Sequence, residues 1–229
     1  MGIIIALCII SAIVGLIYKI LKEKQRLSKT ETIMRPLLEK TFGECKYDPR
    51  SCLSWSDTHD IFWKDPHGCD LVEANYRGTN IKFSTLRFTV TERDFSDENN
   101  YEKEVFLGPW IVVEKENFIN DPVIVSPKKH GHVTKKERVL TDDPGFDARI
   151  YAKGNPVEVL KILAPSLREK IAGLIDRHDN LTLVFEKDRI HAVYPAGGYF
   201  VPKAGRNTAQ MYETQLNDLL DIINTLIDL

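Results

Sequence analysis

The sequence predicts an α+β chain: a single N-terminal transmembrane helix, then one soluble domain with an antiparallel β-sheet packed by helices, including a C-terminal amphipathic helix. Three observations predict this class. Residues 1–21 begin the chain with an almost unbroken apolar run. The middle alternates short segments rich in β-branched and aromatic residues with turn residues. The last twenty or so residues carry apolar side chains at helical spacing. The implied layout is a transmembrane anchor over 1–21, a basic collar and linking helix over 22–43, and a cytoplasmic α+β domain over 44–229.

From Gly2 to Tyr18 there is no charge, and Ile and Leu dominate. Helical residues rise about 1.5 Å each, so a run of this length reaches roughly 26–30 Å, close to a bilayer's hydrocarbon core. Ten strongly apolar residues contribute on the order of −3 to −6 kcal/mol to insertion. Lys19, Lys22, Lys24, Arg26 and Lys29 follow the run, and basic residues beside a span stay cytoplasmic. The expectation is a bitopic protein of the bacterial inner membrane, its basic collar facing lipid. A cleaved signal would carry its charge before the apolar run.

The remaining residues, about 200, suffice for one domain with a real core. The formal net charge is −2 and the pI about 6.3, so no basic field recommends nucleic acid as a partner. Outside the apolar run, Cys45, Cys52 and Cys69 are an odd set of thiols with no tight pair, which argues against a disulfide framework or structural zinc.

In order along the chain, Pro36 and Gly43 frame a short helix around Leu37, Leu38 and Phe42. The segment 44–70 is irregular. Strands follow over 71–76, 81–83 and 86–91, with a turn at Arg77-Gly78-Thr79-Asn80. The apolar stretch 104–116 reads as a strand bent, bulged or placed at an edge by Gly108-Pro109. Further strands are expected at 123–125, 138–140 and 146–152. Asn155, Pro156 and Glu158 then open a helix, which Pro165 interrupts; Ser166 and Glu169 form a second capping-box pattern. A hairpin is expected from 181–185 and 190–194, and a closing helix runs from about 208 to 227 with a stripe from Leu216 to Ile227.

No phosphate-binding loop, nucleophile elbow, H-E-x-x-H or dinucleotide fingerprint is present. The acid–base candidates are Asp57, His59, His67 and Asp70, because a histidine flanked by carboxylates can support hydrolysis. A second candidate is the basic loop with Lys128, Lys129, Lys135, Lys136 and Arg138, which near an anionic leaflet would gain about 1 kcal/mol per basic residue. No cofactor or metal is expected.

The segment Asp70–Leu86 (DLVEANYRGTNIKFSTL), Phe106-Leu-Gly108, the Asp143-Pro-Gly-Phe146 turn and Leu163-Ala-Pro165 together resemble a family of bacterial membrane-associated proteins catalogued as domain of unknown function 3137. The resemblance runs from about Thr30 to the C-terminal helix. Two departures are Ala74 in place of Gly, and Glu116-Asn117 before Phe118 in place of Asn-Lys. The resemblance implies membrane helices with a cytoplasmic α+β domain and no established activity. The functional expectation is a membrane-anchored, non-enzymatic binding or scaffold module whose partners are the lipid bilayer and an unidentified protein. The alternatives are a membrane-tethered hydrolase using 57–70 and an anionic-lipid-binding domain.

Overall fold

A computed structural model describes residues 14–17, 28, 30–58, 66–93, 100–117, 119–129, 132–200 and 208–229. Its core is an eight-stranded sheet built from β1 (Cys45–Asp48), β2 (His67–Tyr76), β3 (Thr79–Arg93), β4 (Asn100–Glu114), β5 (Val123–Pro127), β6 (Ile150–Lys153), β7 (Thr182–Phe185) and β8 (Arg189–Val193). The strand order is β1-β2-β3-β4-β8-β7-β5-β6, and all neighbours pair antiparallel. The helices are α1 (30–42), α2 (Pro144–Asp147), α3 (Pro156–Ile162), α4 (Pro165–Arg177) and α5 (Thr208–Asp228).

The α+β expectation agrees with this architecture, but the transmembrane helix does not. Among the described residues no helix is long and apolar enough to cross a membrane. Within 1–21 only residues 14–17 are described, and they are helical. The transmembrane, bitopic and inner-membrane expectations are corrected accordingly. The rest of that stretch, and the collar residues Lys19, Lys22, Lys24, Arg26 and Lys29, lie outside the described residues.

Cross-strand partners share a face, so the register divides the sheet cleanly. Val72, Phe83, Ile111, Ala192, Leu183 and Val125 are aligned partners on one face. Against them pack Met34 and Leu38 of α1, Ile171 and Leu174 of α4, and Leu216, Leu219, Ile223 and Leu226 of α5. The stripe read in the C-terminal sequence is thus core. Lys115 and Lys170 donate to the Ile227 and Asp228 carbonyls, placing cations at the negative end of α5. The opposite face holds a second cluster of Leu53, Leu86, Phe88, Phe106, Trp110, Val112 and Val193.

The β2–β3 turn forms where expected. Arg77 and Gly78 both take positive φ, 54° and 80°, which suits a two-residue hairpin whose twist matches the strands. Gly108-Pro109 does not break β4. Its β8 pairing begins only at Trp110, so Pro109 lies where an amide is not demanded by that neighbour. Gly108 is required there, because a Cβ would lie 2.0 Å from the Tyr194 carbonyl oxygen.

Three further expectations are corrected. Residues 146–152 are not one strand: Asp143 accepts from the Gly145 and Phe146 amides and nucleates the turn α2, so β6 starts only at Ile150. Residues 138–140 contribute one isolated bridge, Val139 to Ala152. Helix α4 starts at Pro165 with Ala164 as its cap and no side-chain capping bond, because Pro at the first position needs no amide partner. Helix α3 follows its sequence signal, with Asn155 accepting from the Val157 amide.

Candidate functional site

On the sheet face away from the helices, Lys46, Glu73, Lys82, Val112 and His191 are successive aligned partners across β1, β2, β3, β4 and β8. One row along, Asn75 pairs with Asn80, and Glu114 with Arg189. Asn80 donates to Glu114 Oε2 at 2.9 Å. Alternation along each strand therefore lifts a patch of charge out of the sheet.

The segment after β1 builds the wall. Ser54 and Asp57 close a capping box around the single 3-10 turn Trp55–Asp57. This holds the Asp57 carboxylate 2.8 Å from Lys82 Nζ. Arg189 Nη1 donates to the Ser56 carbonyl at 2.8 Å, and its Nε lies 2.8 Å from Glu186. Two adjoining cavities of about 390 and 370 Å³ result, sharing Lys82 and Glu114. Their linings contain the acids Glu44, Asp57, Glu73, Glu114 and Asp188 against the bases Lys46, Lys82 and Arg189. The trough is charged, open and acidic in balance.

Its protonation states are set by neighbours. Burial pushes the Asp57 carboxyl up, but the hydrogen bonds from Lys82 and Ser54 outweigh it and leave the group below the ordinary carboxylate value. The bond to Asp57 raises Lys82 in turn. Cys45, also in the lining, is a thiol pushed up by burial, which disfavours the reactive thiolate. Replacing Lys82 with Met is expected to move the Asp57 carboxyl upward, since burial then acts with less opposition. Asp57 is depressed in the folded chain, so its contribution is present above the unfolded value near 4 and is lost as pH falls. At this exposure the contribution is below about 1 kcal/mol. Carboxyl carbon NMR titration of both proteins reads the shift; an unchanged Asp57 midpoint would refute the assignment.

The sequence-derived candidates do not meet at one place. Asp57 lies in the trough, engaged by Ser54 and Lys82. Asp70 is buried, at φ 63°, and accepts from the Tyr47 hydroxyl at 2.7 Å and the Cys69 thiol at 3.0 Å. His67 is exposed at the start of β2, opposite Arg87. His59 lies outside the described residues. Among the described residues, no group of three or more His, Cys, Asp and Glu side chains is placed to hold a metal ion.

The basic loop is partly folded onto the domain. The Lys128 amide donates to the Arg149 carbonyl, and Arg138 stacks 5.0 Å above the Tyr151 ring. Val133 is buried, and burial lowers the His132 imidazole below its ordinary value. Lys135 and Lys136 are exposed, while Lys128 and Lys129 line a separate cavity.

Sequence reading did not single out Lys82, Glu114, Arg189 or His191. The available signal was their alternation with apolar neighbours, Ile81-Lys82-Phe83 and Arg189-Ile190-His191-Ala192, which marks a strand face but not what faces it. Asn117 has a visible role: its Nδ2 reaches the Lys115, Glu186 and Arg189 carbonyls and ties β4 to the β7–β8 turn.

No family model matches the chain, and no curated protein matches it. Among solved structures, the mycobacterial trehalose monomycolate transport factor A, TtfA, is similar at 11% identity and a TM-score of 0.39, covering 88% of this chain and 96% of that one. A likeness of that size carries no argument about function.

Proposed function

We propose that this chain is a non-enzymatic binding module that takes a protein partner in the charged trough, through a basic segment of that partner. The observation that carries this reading is the lining: five acids against three bases in two adjoining open cavities. Asp57 and Glu73 each lie beside Lys82, at 2.8 and 3.8 Å, and Arg189 joins Glu186 and Asp188. Such fixed pairs suit complementarity to a charged partner, which governs specificity and encounter rate. They do not suit an acid or base that must exchange a proton during turnover. Burial suppresses ionisation of the Cys45 thiol in the lining. The resemblance to domain of unknown function 3137 implies no activity and is compatible with this reading.

The test is site-specific photocrosslinking of the full chain in its host cells. A photoreactive residue at Asn75 or Asp188, both exposed beside the trough, is expected to give discrete protein adducts. The same residue at Glu169 of α4, away from the trough, is expected to give none of these. The double replacement Asp57→Lys, Glu114→Lys should abolish the adducts while circular dichroism stays unchanged. Identical adducts from all three positions, or adducts that survive the charge reversal, would overturn the reading.

A further inference from the structure

A cavity of about 620 Å³, separate from the trough, opens between the turn after β5, the link from α2 to β6, and the C-terminal end of α4. Its two rims carry opposite charge. Lys128 and Lys129 stand on one, following Pro127 at the end of β5. Asp176 and Asp179 stand on the other, where α4 gives way to β7. Arg149 joins the rims: its Nη1 lies 2.8 and 2.6 Å from the two Asp176 oxygens, and its carbonyl receives the Lys128 amide at 2.8 Å. Among the described residues no ion pair engages Lys128, Lys129 or Asp179. Ile150 and Ile175 supply apolar floor between the rims.

We infer that this cavity is a binding site for a zwitterionic compound, with a phosphate or carboxylate group against Lys128 and Lys129 and a primary ammonium against Asp179. Two independent fields place the ammonium. One is the Asp179 carboxylate. The other is the carbonyl end of α4, a thirteen-residue helix whose dipole favours a cation at its C-terminus, where its own Arg177 already donates to the Gly173 carbonyl at 3.1 Å and pairs with Asp221. The group that answers the lysines cannot also answer Asp179, because an anion there meets like charge. A purely anionic compound therefore satisfies one rim and is repelled by the other; a zwitterion satisfies both. Arg149, fixed by Asp176, positions the Lys128 turn through its carbonyl and leaves Asp179 for the ligand. This inference stands independently of the trough and survives its failure.

The test uses the full chain and glycerophosphoethanolamine as the probe, followed by amide NMR. Saturable shifts are expected at residues 127–129, 148–150 and 175–180, with affinity at least about tenfold above that for glycerol 3-phosphate or for ethanolamine alone. Asp179→Asn and Lys128→Gln should each weaken binding about two- to five-fold, as expected for exposed charge contacts. Both sites are on the surface, so spectra away from the cavity should not change. Flotation with vesicles of phosphatidylethanolamine in phosphatidylcholine, against phosphatidylcholine alone, separates a lipid headgroup from a free compound as the source of this chemistry. Binding of the soluble probe without flotation of the ethanolamine vesicles assigns a free compound, and flotation with those vesicles assigns the headgroup. Equal affinity for glycerol 3-phosphate, unaltered binding by Asp179→Asn, or no binding in either arm would overturn the inference.

Discussion

Replacing Trp110 with alanine is expected to lower the unfolding free energy by about 3–5 kcal/mol, the usual cost of removing a fully buried large aromatic side chain. Trp110 is 0% exposed and is central to the second apolar cluster. Its ring meets Phe88, Phe106 and His191 at centroid distances of 6.1, 6.3 and 6.1 Å, in tilted or edge-on arrangements that aromatic quadrupoles favour. The indole also has a polar duty. Its Nε1 donates to His191 Nδ1 at 3.2 Å, which assigns the ring proton to Nε2, 3.3 Å from Glu186 Oε2. Trp110→Phe separates the two contributions, because it keeps much of the packing and deletes the donor. Its expected cost is smaller, about 1–3 kcal/mol, with the buried acceptor on His191 left unsatisfied. Urea denaturation at constant slope measures both costs, and imidazole nitrogen NMR reads the tautomer. A loss below about 1 kcal/mol for Trp110→Ala would mean that this face of the sheet is not a packed core.

This second core also explains which parts of the fold could be read from the chain and which could not. Local chemistry carried the β2–β3 hairpin, because Arg77-Gly78 accepts positive φ, and it carried α3, because Asn155-Pro156 caps and opens a helix. Residues 146–152 misled because Phe146, Ile150 and Tyr151 satisfy strand composition, whereas Asp143 binds two amides first and curls the chain into α2. The apolar run at the N-terminus reads as a span from its length, its apolarity and its basic flank, and among the described residues no helix has the length and apolarity of a span.

The trough was less accessible still. Lys82 alternates with the buried Ile81 and Phe83 as the wet member of its strand. Its meaning depends on Glu73, Val112 and Asp57, brought to it by register and by a 3-10 turn from distant parts of the chain. No local pattern encodes that register. The basic loop shows the same limit: a run of charge reads as one object, but the fold sends Arg138 onto Tyr151 and Lys128 to the wall of a cavity. Asp70 read as an acid–base candidate because sequence reports its carboxylate, not its burial or its backbone conformation.

Asp70 supplies the second large effect. It occupies the left-handed region at φ 63°, which Asp and Asn tolerate and which costs a Cβ-bearing residue such as Ala about 1–2 kcal/mol. Its carboxylate is buried and accepts from Tyr47 at 2.7 Å. Asp70→Ala therefore adds backbone strain to an unsatisfied buried hydroxyl, and an overall loss of about 2–5 kcal/mol is expected. Asp70→Asn keeps both the backbone tolerance and an acceptor oxygen, so its loss should be nearer 1 kcal/mol. Tyr47→Phe removes a donor from a buried carboxylate and should cost about 1.5–3 kcal/mol. The same pair predicts an alkaline signature. Burial first, then the Asp70 charge and hydrogen bond, raise the Tyr47 phenol well above its ordinary value, so the folded chain keeps this proton where the unfolded chain releases it. Its stabilising contribution is complete below the unfolded value near 10 and declines as pH rises toward the folded one. Between about pH 10 and 11.5 the parent should lose up to about 1.4 kcal/mol per pH unit more than Tyr47→Phe, the slope of one proton. Urea denaturation across that range measures the difference. Equal slopes would show that Tyr47 ionises in the folded chain as readily as in the unfolded one, and equal losses for Asp70→Ala and Asp70→Asn would remove backbone strain from the account.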